Sequence, residues 1–373
     1  GDWQIHQQEK QRTAIASNFV NALFPAHRLY PSNLGVTFAY EHLTHAYESL
    51  IPQECRSYNR GVLALGDLGD LGATTELDTF GVMQRKVESE NPLNRIRVIA
   101  PGNHDILHRG SARSGVQFLT AVGWLLNLQG RREYGDDVAI PEVGNRKLLI
   151  NKEKFLKFVY DYFKLPWEPT VLKCYDDDHF SLLQDCAHED RLPLAQKSWG
   201  NTEAVMQTFW RPGPDNKSWH TLIHLTPSDG KKRHEEQSWL YTSAFEMGQY
   251  QTKKGNTPVY YIALDTVDYS KDSTDMGAIE GHLSETQVKI VRAFIAQKKK
   301  EKPNAQFIIG SHYPLQDIAK VGSSGLGAIL ADEAVIAVTV AHTHKRDYSD
   351  LNTKPYIDTL YIQGRQEPLA QIN

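Results

Sequence analysis

The chain has 373 residues, 40% hydrophobic and 23% charged, with a formal net charge of −4. That composition supports a large folded core and argues against long duplex DNA or an anionic membrane surface as partner. Three cysteines (Cys55, Cys174, Cys186) are too few for a disulfide framework, and no apolar run approaches the roughly 20 residues of a membrane span.

Taken in chain order, helical periodicity first runs over 37–50. "GVLAL" (61–65) then reads as a buried strand, 74–88 as a helix, and "RVIA" (97–100) as a second strand. From 108 to 258 this rhythm breaks. The stretch holds six of the seven tryptophans and helical patches near 114–128 and 151–164. It is expected to be an insertion or cap within one domain that covers 1–373. His220, His224 and His234 inside it are expected to be ordinary core or surface residues. The rhythm resumes with "VYYIALD" (259–265), a strand, and a helix over 284–299. Ser284 and Gln287 stand at the spacing of a capping box at its start, and Lys298-Lys299-Lys300 reads as its solvated end. "AQFIIG" (305–310) and "VIAVTVA" (335–341) are two more strands. Between them "GSSGLG" (322–327) lacks the Gly-Lys-Ser/Thr of a phosphate loop and reads as a flexible loop. Strands alternating with helices predict an α/β fold.

Four strands run into residues that bind ligands. "GVLAL" leads to Gly66-Asp67, "RVIA" to Gly102-Asn103-His104-Asp105, "AQFIIG" to Ser311-His312-Tyr313, and "VIAVTV" to His342-Thr343-His344. Ligands of α/β sheets bind outside the carboxyl ends of the strands, so these segments are placed to converge. Carboxylate, amide and imidazole donors without thiolate suit Mn, Fe, Zn or Ni, and their number suits two ions rather than one. The glycines fit abrupt turns that bring backbone close to a ligand.

The order Gly-Asp, Gly-Asn-His-Asp, strand-His, then His-x-His resembles the calcineurin-like metallophosphoesterase superfamily. The resemblance covers 61–105 and 259–364. It implies a four-layer α/β fold, two mixed sheets face to face between helices, and a cofactor of two divalent or trivalent metal ions. It further implies that Asp67 bridges the ions, that Asn103, His312 and His342 complete one metal site, and that His344 joins the other. His104 would bind the phosphate or protonate the leaving oxygen, oriented by Asp105. For the family's first motif, Asp-x-His, the best candidate is "GDWQIH" at the N-terminus, with Asp2 as ligand and Gln4, or alternatively His6, in the histidine place. No strand precedes Asp2, so the natural chain is expected to continue upstream.

The implied activity is phosphoester hydrolysis, of monoesters or diesters, by a hydroxide carried on the metal pair. The substrate would be a small molecule, a nucleotide or a phosphoprotein. The substitution at Gln4 motivates the alternative, a non-catalytic metal-binding or phospholigand-binding protein on the same scaffold.

Overall fold

The structure is a computed structural model that describes residues 61–68, 74–90, 94–102, 105, 152–175, 200–227, 239–252, 255–267, 281, 283–314, 323–341 and 357–372. Among them the protein is mixed α/β, with one two-stranded sheet, one nine-stranded mixed sheet and five helices.

β1 (Val62–Ala64) and β2 (Ile96–Ile99) pair in parallel and are joined through α1 (Thr74–Glu90). The large sheet is built around three parallel strands, β7 (Gly255–Leu264), β8 (Gln306–Ser311) and β9 (Val335–Val340). Each crossover is a helix, α4 (Glu285–Glu301) and then α5 (Ser323–Leu330). Beyond β9 lies β11 (Leu369–Ile372), parallel to it, with β10 (Ile357–Leu360) antiparallel at that edge.

The other half of the sheet comes from within 108–258. β6 (Trp239–Thr252) pairs antiparallel with β7, β5 (Ser218–Pro227) with β6, and β3 (Thr170–Tyr175) lies parallel to β5 at the far edge. The short β4 (Arg211–Pro212) also pairs with β5. The described part of this stretch therefore extends the main sheet. Two further helices complete it: α2 (Lys152–Phe163) precedes β3, and α3 (Thr202–Phe209) lies between β3 and β4 in the chain.

β7 explains how the layers stack. Its residues from Thr257 to Leu264 are all buried, which is why "VYYIAL" is apolar without alternation. Tyr260, Ile262 and Leu264 face a core shared with Phe294 and Val291 of α4, Val205 and Phe209 of α3, and Leu326 and Ile329 of α5. Tyr261 and Ala263 face the other way, onto Leu65, Val98 and Ala100 around β1 and β2. The outer side of β1 and β2 is covered by α1 and α2 through Phe80, Val87, Phe155 and Val159.

Local chemistry sets the helix limits. Asn201 caps α3, its Oδ1 accepting from Glu203 N and Ala204 N at 3.0 and 3.2 Å. Ser284 Oγ accepts from Gln287 N at 3.2 Å and caps α4. The return arm of the expected capping box is not made: Gln287 Nε2 donates to Tyr241 O, and its Oε1 is buried without a partner. The Lys298–Lys300 run also departs from expectation. Lys298 is buried beneath the Trp219 ring, 4.2 Å from its centroid, and Lys299 pairs with Asp332 at 2.8 Å, leaving Lys300 exposed. "GSSGLG" contributes to α5 rather than a loop, because Leu326, Ile329 and Leu330 form one apolar face on the sheet that offsets the cost of two glycines.

Candidate functional site

The parallel strands place their carboxyl ends together, and three loops meet there. The first follows β1. Gly66 and Asp67 both adopt positive φ, 98° and 53°, so the chain turns sharply as it leaves the strand. Asparagine and aspartate tolerate that region better than most side chains do, and glycine enters it freely. The second loop follows β2 and presses on the first: a Cβ on Gly102 would stand 2.2 Å from Asp67 N and 2.3 Å from Asp67 Oδ1. The "GD" and "PG" at these strand ends are thus two halves of one close backbone crossing.

Asp105 locks that crossing. Its carboxylate is fully buried, with Oδ1 accepting from Leu68 N at 2.6 Å and Oδ2 accepting from Gly102 N at 2.9 Å. Two backbone amides from two loops thus share one carboxylate. Asp105 was expected to orient His104; these contacts give it a further task, tying the two loops to each other.

The third loop follows β8. His312 is buried at 0% exposure, and its Nδ1 donates to Leu65 O at 2.8 Å. That bond places the neutral ring's proton on Nδ1 and turns Nε2 toward Asp67 Oδ1, 3.5 Å away. The separation is long for a hydrogen bond. It suits two ligands of one ion: bonds of roughly 2.0–2.2 Å at angles near 90–110° put two donors about 3–3.5 Å apart. An imidazole whose second nitrogen bonds a backbone carbonyl is also the usual dress of a metal ligand. The donor pair therefore fits a transition-metal ion.

Neighbouring groups hold His312 in place. Ala341 N donates to His312 O at 3.0 Å, which seats the end of β9, and hence the residue before His342, against this loop. Tyr313 is buried beside it with its ring over Gly281, where any Cβ would come within 2.6 Å of the ring. Burial, and then the charge of Asp67, push the Tyr313 phenol well above the ordinary tyrosine range, so it stays protonated.

Of the expected site residues, the structure brings Asp67 and His312 within 3.5 Å, with Asp105 tying the Asp67 turn to Gly102. Asp2, Gln4, His6, Asn103, His104, His342 and His344 lie outside the described residues, although Gly102, Asp105 and Ala341 flank three of them. Among the described residues no three His, Cys, Asp or Glu side chains gather as a metal site. Sequence reasoning missed the carbonyl of Leu65 as the orienting partner, since a backbone group carries no residue signal. It also missed Tyr313 as a packing residue, although its place beside His312 was visible. Comparison with protein-family models, with curated proteins and with solved structures finds no match for the chain. No helix among the described residues is long and apolar enough to cross a membrane.

Proposed function

We propose that the chain hydrolyses phosphoester bonds with two bound metal ions, in the manner of calcineurin-like metallophosphoesterases. The observation that carries this reading is the buried pair Asp67 and His312. They come from two strand ends far apart in sequence and stand at shared-ligand spacing, with the imidazole tautomer set by Leu65 O. The packing order supports the four-layer arrangement: α3, α4 and α5, then the large sheet, then β1 and β2, then α1 and α2.

In this reading Asp67, Asn103, His312 and His342 hold one ion, while Asp2, Gln4 and His344 join Asp67 in holding the other. Bound ions supply neutralisation of the phosphoryl charge and a hydroxide nucleophile at neutral pH. The chain's own residues do the rest. Asp67 and His312 enter the site preoriented, because a turn of positive φ and a carbonyl hydrogen bond leave them little freedom. Asp105 ties Gly102, the residue before Asn103, to Leu68 at the Asp67 turn. His104 gives a proton to the departing ester oxygen. Tyr313, buried next to His312, packs edge-on against its ring.

The test is hydrolysis of p-nitrophenyl phosphate and its bis-ester with added manganese, wild type against Asn103→Ala. The expected loss is at least roughly a hundredfold in kcat/KM. Equal rates from the two proteins would favour the non-catalytic binding protein.

A further inference from the structure

A buried ion pair lies one strand away from His312. Lys152, the first residue of α2, is completely buried; its Nζ is 2.9 Å from Asp265 Oδ2 and donates to Val267 O at 2.8 Å. Asp265 ends the apolar run of β7, and it too is buried. Its Oδ2 also accepts from Tyr241 N at 3.2 Å, and its Oδ1 from Val267 N at 3.3 Å. The pair therefore grips the backbone just past β7 at both Asp265 and Val267. Between them stands Thr266, itself buried, whose Oγ1 accepts from Tyr313 N at 3.4 Å. Tyr313 is the residue after His312, and Ser311 Oγ donates to Tyr313 O at 2.7 Å from the other side.

We propose that Lys152 and Asp265, acting through Thr266, are positioning residues for His312. The inference rests on the metal-ligand reading of His312. An ion pair is a poor device for stability alone, because two apolar side chains of similar volume do as well or better. What an apolar pair cannot do is bond Val267 O, Val267 N and Tyr241 N at once. Those bonds fix the strand-end turn on which the β8 loop sits, and so the direction from which His312 faces Asp67. Lys152 lies in the stretch that interrupts the motif-bearing segments, so that stretch would contribute to the geometry of the site.

The test separates positioning from stability. Lys152→Met removes the ammonium group that faces the buried Asp265 carboxylate and is expected to lower Tm. Lys152→Met/Asp265→Leu removes both charges and is expected to recover part of that Tm, the remaining loss being that of the bonds to Val267 O, Val267 N and Tyr241 N. Manganese affinity, measured by calorimetry, should stay roughly tenfold or more weaker in both variants. Thr266→Val keeps the ion pair and removes only the acceptor for Tyr313 N. It should reduce manganese affinity similarly with a smaller loss of Tm than Lys152→Met, which keeps the question open to decision should the charge variants not fold. A double variant or Thr266→Val with wild-type affinity would overturn the proposal. If wild type itself binds no manganese, the functional reading fails. The positioning claim is then read from the Nδ1–H resonance of His312 in histidine-labelled protein. A shifted or exchange-broadened signal in the variants supports it, and an unchanged one refutes it.

Discussion

At the scale of single residues, the crossing of the two loops depends on Gly102 and on the carboxylate of Asp105. Gly102 has no room for a methyl group, since the atoms it would strike are the backbone and carboxylate of Asp67. Gly102→Ala should cost about 3 kcal/mol in urea denaturation, at the upper end for overpacking because backbone must move, and should abolish manganese binding. A variant of wild-type stability and affinity would contradict the described crossing. Asp105→Asn replaces one amide acceptor by an NH2 group that faces a backbone N–H. An unfolding loss of about 1–3 kcal/mol is expected, with weaker metal binding, because the two loops come apart at one of their ties. Asp105 could be picked out from the sequence because it sits in Gly-Asn-His-Asp. That its oxygens would bond Leu68 N and Gly102 N could not, since nothing in residue identity announces which amides fold back onto a carboxylate.

Among the elements, β8 and its neighbours show what periodicity conveys and what it omits. The five apolar runs and the helices at 74–88, 151–164 and 284–299 correspond to β1, β2, β7, β8, β9, α1, α2 and α4. These are buried strands and one-sided helices, where burial and periodicity agree. β5 and β6 were not visible because their buried positions include Thr221, Thr242 and Ser243, polar groups at the level of the core; Thr221 Oγ1, for one, bonds Thr242 O. Lys152 and Lys298 were illegible for a related reason: a lysine reads as solvated until its partner, Asp265 or the Trp219 ring, is known. Gly310 carries a further lesson. The ring of Tyr261 crosses it to reach Thr339, and a Cβ there would lie 1.9 Å from the phenol oxygen. Gly310→Ala is therefore expected to lower stability by about 2–3 kcal/mol and to break the Tyr261–Thr339 bond. An unchanged Tm would show that the ring does not cross β8.

For the molecule as a whole, acid stability should follow His220. This histidine is buried between α2 and β6, with Nδ1 against Tyr241 Oη at 3.0 Å and Nε2 without a partner. Burial lowers its pKa to about 4, below the ordinary 6.5. The unfolded chain then binds a proton that the folded chain does not between those values, so this contribution is complete above pH 6.5 and is lost as pH falls toward 4. The loss is of order 3 kcal/mol. Tm of wild type should drop more steeply than that of His220→Gln over this window; parallel curves would contradict it. The central claim concerns the point where the strand-end loops meet, and it is tested most directly by anomalous X-ray diffraction from crystals soaked in manganese. The account predicts a strong anomalous peak within about 2.5 Å of both Asp67 Oδ1 and His312 Nε2, with a second peak roughly 3.5–4 Å from it. Manganese bound elsewhere, with no peak between Asp67 and His312, would contradict it.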